Sequence, residues 1–140
     1  TDAAKQGYIS RECGDKLALL GHIDSSFIDN WSIGEELDQV AVTEEDGEFI
    51  REVCAAMFER SARCMCANLL GIMLVTGKGK EEKPVCVCAE GSLVQKSHLY
   101  SGMLMNFLNT YGLEGLGIHS VLKIGDGSTV PGSAAAALLN

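Results

Sequence analysis

Pro84-Val85-Cys86-Val87-Cys88-Ala89-Glu90-Gly91-Ser92 is the stretch that decides the fold. From Pro84 to Ala89 no charged or amide side chain interrupts it. A strand with one wet face alternates apolar and polar residues. A strand covered on both faces reads as a continuous apolar run, and such strands belong mostly to parallel sheets. The run therefore predicts a buried strand. Glu90-Gly91-Ser92 then supplies a turn, since glycine frees the backbone and serine bonds locally.

Downstream, Ser97 is placed to cap a helix running to about Tyr111, with Leu99, Met103, Met105, Phe107 and Leu108 apolar and Gly112 as its stop. Gly115 to Gly117 makes a turn, and Ile118, Val121, Leu122 and Ile124 form a second strand. Strand, crossover helix, strand implies two parallel neighbours in an α/β sheet. A loop from Gly125 to Ser133 follows, and Ala134 to Leu139 favours helix. The stretch 84–140 is thus one strand–helix–strand–helix unit.

Upstream, Gly77 to Lys83 reads as a polar, exposed linker. It contains Gly-Lys but not the spacing or the hydroxyl of a phosphate-binding P-loop. Before it comes a long helix, 48–76, ended by Gly77. Thr43 and Asp46 have capping-box spacing, and Glu44, Glu45, Asp46 and Glu48 suit the positive end of the helix dipole. Ile50, Val53, Met57, Cys64, Met65, Leu69, Ile72 and Met73 recur at steps of three and four. At 1.5 Å per residue this helix is about 45 Å long. Residues 1–47 read as irregular structure and short helices, with one helix near 10–20. Glu35/Glu36 and Glu44/Glu45/Asp46 read as solvent-facing charge or support for helix starts, not as an acid–base pair.

The chain has 140 residues, 11 basic and 19 acidic, for a net charge of −8. That length buries a sizeable core, and 46% hydrophobic residues exclude intrinsic disorder. The acidic balance excludes a nucleic-acid footprint and gives no support to anionic membranes. The longest apolar stretch, Cys64 to Val75, is too short for the roughly 20 residues of a membrane span. There is no signal-peptide pattern at the N-terminus, and a cytoplasmic setting is expected.

Six cysteines are present, and four form the pairs Cys64/Cys66 and Cys86/Cys88 within apolar segments. The Cys-x-Cys spacing does not match the wider spacing of zinc ligands. Residues two apart on a helix diverge. Cys86 and Cys88 share one strand face but supply no four-ligand cage. All six are read as structural thiols, ahead of metal ligands or disulfides, and no metal site is expected. His22, His98 and His119 have no partner set by spacing and read as structural or solvent-facing. Nothing resembles a Ser/His/Asp or Cys/His triad.

Both strands end in an acidic residue, a glycine and a serine: Glu90-Gly91-Ser92 and Asp126-Gly127-Ser128. Ligands of open α/β sheets bind beyond the carboxyl ends of strands. Two such loops suggest a nucleotide or phosphate ligand, against the plainer alternative of ordinary strand-to-helix turns.

Three segments carry a family resemblance. Glu59-Arg60-Ser61-Ala62-Arg63 through Gly71-Ile72 resembles the hexokinase helix that opens "(S/T)RxA". Val85 to Leu93 resembles the hexokinase strand and turn "VGVDGS/T", the adenosine motif of the sugar kinase/actin/Hsp70 superfamily. Gly125-Asp126-Gly127-Ser128 through Ala135 resembles the hexokinase loop "EDGSGxGAA". The three occur in the family's order at about its separations, and the last 90 or so residues hold nearly all the specificity.

The resemblance implies the C-terminal portion of a hexokinase large domain, a partial RNase H-like (actin-like ATPase) fold. In that fold a parallel strand–helix–strand unit packs on a long helix. It implies transfer of the γ-phosphoryl of ATP, with Mg²⁺, to the 6-hydroxyl of a hexose such as glucose. It places Gly91, Ser92 and Leu93 at the adenosine or α-phosphate end of the nucleotide, and Gly127 and Ser128 along the same cleft. Mg²⁺ would be held mainly by residues outside this chain, and no catalytic residue is assigned within it. Glu90 replaces the family's Asp, Asn68 stands at a usual glycine, and Pro131 lies inside the last glycine loop. The family's phosphate-contacting Thr/Ser pair falls near Gly34 and Asp38, which do not match. No "DLGGTN"-like phosphate loop, sugar-binding Asn/Asp set or catalytic-base Asp motif is found, so the chain alone is expected to be inactive. The alternatives are a non-catalytic hexokinase-like regulatory or interaction module, and an unrelated α/β domain binding a phosphoanion. Exposed apolar surface is expected, with a homodimer as one way to cover it.

Overall fold

The computed structural model describes residues 1–125. The chain divides into two compact units, Thr1–Arg60 and one beginning at Ser61. Helix α4 (Glu44–Thr76) contributes to both. Its buried residues recur every fourth position: Asp46, Ile50, Cys54, Phe58, Ala62, Cys66 and Leu70.

The first unit holds α1 (Asp2–Lys5), α2 (Arg11–Leu19), α3 (Ser25–Ser32), a 3₁₀ turn (Leu37–Gln39) and the start of α4. Helices begin where a side-chain oxygen meets amides that have no intrahelical partner. Ser10 Oγ accepts from Cys13 N at 3.1 Å. Asp24 Oδ1 accepts from Ser26 N at 2.8 Å and from Phe27 N at 3.3 Å. Ile9, Cys13, Trp31, Val40, Ile50 and Cys54 form the core.

At the head of α4 the predicted capping box is present. Thr43 Oγ1 accepts from Asp46 N at 3.2 Å, and Asp46 Oδ2 accepts from Thr43 N at 3.1 Å. Asp46 does not face water, however: it is 1% exposed. Its carboxylate also accepts from Ser10 N at 2.6 Å, Ser10 Oγ at 2.8 Å and Val42 N at 3.2 Å. A buried charge is tolerated when its lone pairs are satisfied, and this one joins the start of α2 to the start of α4. Burial pushes the Asp46 carboxyl up, but the bonds from Ser10, Thr43 and Val42 outweigh it and hold the group below the ordinary carboxylate range.

In the second unit, α4 stops as the sequence predicts. Gly77 adopts φ +63°, Gly77 N donates to Leu74 O at 3.2 Å, and Lys78 N donates to Met73 O at 3.1 Å. That pair of bonds is the Schellman pattern. The segment after it is not simply an exposed linker. Gly79 is buried, and its carbonyl accepts from His119 N at 2.8 Å. A Cβ on Gly79 would lie 2.7 Å from Ile118 Cγ2, so glycine is what lets this backbone lie against the residues leading into the second strand.

β1 (Val85–Ala89) and β2 (Ser120–Ile124) pair in parallel, with Val85 opposite Ser120 and Ala89 opposite Ile124. The crossover differs from the single helix predicted. It comprises α5 (Ser92–Lys96), α6 (Tyr100–Phe107) and a π-helical segment (Leu108–Glu114). Ser97 ends α5 in extended conformation and heads α6 as predicted, its Oγ accepting from Leu99 N at 3.3 Å and Tyr100 N at 3.1 Å. Gly112 is not the stop. It lies inside the π-helical segment, where a Cβ would meet Leu70 Cδ2 at 2.9 Å. Beside that contact the Arg63 guanidinium sits 4.9 Å from the Phe107 ring centroid and donates to Tyr111 Oη at 3.2 Å.

The strand itself departs from the sequence reading. Val85, Val87 and Ala89 are half-buried, while Cys86 and Cys88 are exposed. Of the six thiols, Cys13, Cys54 and Cys66 are buried and Cys64, Cys86 and Cys88 are exposed. Burial pushes the Cys54 and Cys66 thiols up. Exposed apolar side chains are present as expected, with Ile72 61% and Val75 90% exposed near the end of α4.

Candidate functional site

Because β1 and β2 are parallel and in register, their carboxyl ends lie at one edge of the pair. Gly125 N donates to Ala89 O at 2.9 Å, carrying the ladder one residue past β2. Gly91 then adopts φ 120°, ψ 158°, a region open essentially to glycine alone. A Cβ at Gly91 would have no neighbour within 4 Å. Glycine is thus required by the backbone angle, and the space beside it is open among the described residues. Val94 N and Gln95 N both donate to Gly91 O, at 3.2 and 3.1 Å, which closes the turn and starts α5.

Glu90 and Ser92 are exposed on this turn and Leu93 is half-buried. The Gln95 side-chain amide donates to the Gly125 carbonyl, so the turn after β1 is tied to the residue after β2. Sequence reasoning missed Gln95, because a polar residue on a short helix carries no signal of a partner 30 positions away. Gly127 and Ser128, the other two residues assigned to the site, lie outside the described residues. The edge thus offers an exposed hydroxyl, accessible glycine backbone and a half-buried leucine. Such a set can position a ligand by shape and hydrogen bonding. Among the described residues no group of three or more His, Cys, Asp or Glu side chains is placed to hold a metal ion.

A second feature went unread in the sequence. An apolar cavity of about 360 Å³ lies in the first unit, lined by residues including Leu17, Ile28, Trp31, Phe49 and Met57. Trp31 is 2% exposed, and its indole N–H has no acceptor among the described residues.

A family model described as hexokinase matches residues 11–139. The chain belongs to the hexokinase family. The match takes in both units, the capping box at Thr43 and the Gly91 turn, and the family is one of kinases. No curated protein and no solved structure matches the chain. No helix among the described residues is long and apolar enough to cross a membrane.

Proposed function

We propose that this chain is the nucleotide-side, C-terminal portion of a hexokinase large domain. The parent enzyme would phosphorylate a hexose at its 6-hydroxyl with ATP and Mg²⁺. The supporting observation is the shared edge of β1 and β2. There the glycine-only conformation of Gly91 leaves open space beside Ser92, and Gln95 braces the turn against Gly125. In a parallel sheet that edge is where ligands dock, and membership of the hexokinase family supports a nucleotide there. The two parallel strands and their crossover are read as one piece of an RNase H-like sheet.

In this reading the chain's own residues bind and orient. Backbone at Gly91, the Ser92 hydroxyl and the Leu93 side chain receive the adenosine or α-phosphate end, with Gly127 and Ser128 along the same cleft. Phosphoryl transfer depends mostly on positioning and charge stabilisation. The phosphate loop and catalytic base of the family have no match in these 140 residues, so the chain alone is expected to bind nucleotide without turning over sugar. A homodimer is one arrangement that would cover Ile72, Val75 and their neighbours.

Titration of ATP into the full chain, followed by amide chemical shifts, tests the site. Shifts should centre on Gly91 to Gln95 and Gly125. Ser92→Asp should abolish them by placing a carboxylate against phosphate. Binding that survives Ser92→Asp unchanged removes the nucleotide from this turn.

A further inference from the structure

The open face of the β1–β2 pair carries chemistry that the nucleotide reading does not use. Cys86 and Cys88 are both exposed, and their sulfurs lie 3.8 Å apart. Across the pair, Val121 stands opposite Cys86 and Lys123 opposite Cys88. Cys86 also lines a cavity with Lys78, Lys80 and Lys83.

We propose that Cys86 and Cys88 form a bidentate thiolate site for a zinc-class d¹⁰ cation, with water completing the coordination. Two sulfurs each about 2.3 Å from a tetrahedral zinc ion stand about 3.8 Å apart. The pair already has that separation, with both side chains on one strand face and open to solvent. A disulfide fits less well. Residues two apart on a strand are about 6.6 Å apart at Cα, close to the limit of about 6.8 Å for a disulfide, so oxidation would have to buckle β1.

The charge balance is favourable. Two thiols bind one dication and release two protons, so the ligated pair is neutral. Lys123 and the lysines that share the Cys86 cavity then face no net positive charge. The site is independent of nucleotide binding at Gly91.

The test uses the full, reduced, metal-free chain. Cd²⁺ titration is read by sulfur-to-metal charge-transfer absorption, and Zn²⁺ affinity by competition with a chromogenic chelator. One cation per chain is expected for the parent and for Cys64→Ser. Cys86→Ser, Cys88→Ser and the double variant should each lose the absorption and bind Zn²⁺ at least about tenfold more weakly, since even lost outer partners weaken metal sites about 10–100-fold. In the unmutated chain, Zn²⁺ should protect Cys86 and Cys88 from alkylation while Cys64 still reacts, a result that depends on no variant's folding. Unchanged affinity in the double variant, loss of binding in Cys64→Ser, or alkylation of Cys86 and Cys88 at the same rate with and without Zn²⁺ overturns the proposal.

Discussion

The two units are held by different means. In the first, a single carboxylate gathers the structure. Asp46, nearly sealed from water, accepts from Ser10, Val42 and Thr43. In the second, missing side chains do the equivalent job: Gly79 lies against Ile118 and Gly112 against Leu70, each closer than a Cβ would allow. One joint depends on charge and therefore on pH. The other depends on excluded volume, which pH does not touch.

The largest effect is expected from Asp46→Ala. It strands the Ser10, Val42 and Thr43 donors in a buried site, and hydrogen bonds to charged groups contribute about 1.5–3 kcal/mol each before compensation. Loss of about 4 kcal/mol is expected in residues 1–60, read from amide exchange. A loss under about 1 kcal/mol would mean that water replaces the carboxylate easily.

Acid sharpens the same contrast. The folded Asp46 carboxyl sits below its ordinary value. Its contribution is therefore fully present above the unfolded value of about 3.9 and fades as pH falls through the lower, folded one. Exchange protection in α2 and the first turns of α4 should drop below about pH 4 in the parent chain and stay flat in Asp46→Asn.

Gly79→Ala should come next, at about 3 kcal/mol. A non-glycine residue at φ +94° is strained, and its methyl group would meet Ile118 Cγ2 at 2.7 Å. Protection of the β1–β2 amides reads this out, and the effect should be the same at pH 4 and pH 7. A pH-dependent loss would blur the distinction between the two joints. The smallest effect is expected from Gly77→Ala, about 1 kcal/mol for a left-handed helix end, seen as faster exchange at Gly77 and Lys78.

Much of this architecture was legible in the sequence. The capping box at Thr43 and Asp46 is a local pattern, and local patterns survive folding. Gly77 ended α4 because no other residue enters the left-handed region so easily. The parallel pairing followed from a strand, a crossover and a strand. What escaped reading depends on partners distant in the chain. Nothing local says that Asp46 meets Ser10, that Gly79 lies against Ile118, or that Gln95 reaches Gly125. The Val-Cys-Val-Cys run misled for a different reason. Thiols count as apolar, so the run looks covered on both faces, while only the valine and alanine face is half-buried. In the candidate site, the turn at Gly91 was readable because glycine frees the backbone where a strand ends. The bond from Gln95 that braces it was not.

Asp46 also bears on the order in which the first unit folds. Its bonds with Thr43 span three residues, so they can form with the first turn of α4. Its bonds with Ser10 span 36, and closing a loop of that length costs about 3 kcal/mol of chain entropy. The short-range half should therefore be made by the transition state and the long-range half after it. Thr43→Ala is expected to slow folding, whereas Ser10→Ala should mainly speed unfolding. One buried carboxylate would then belong first to a helix start and only later to the joint it completes.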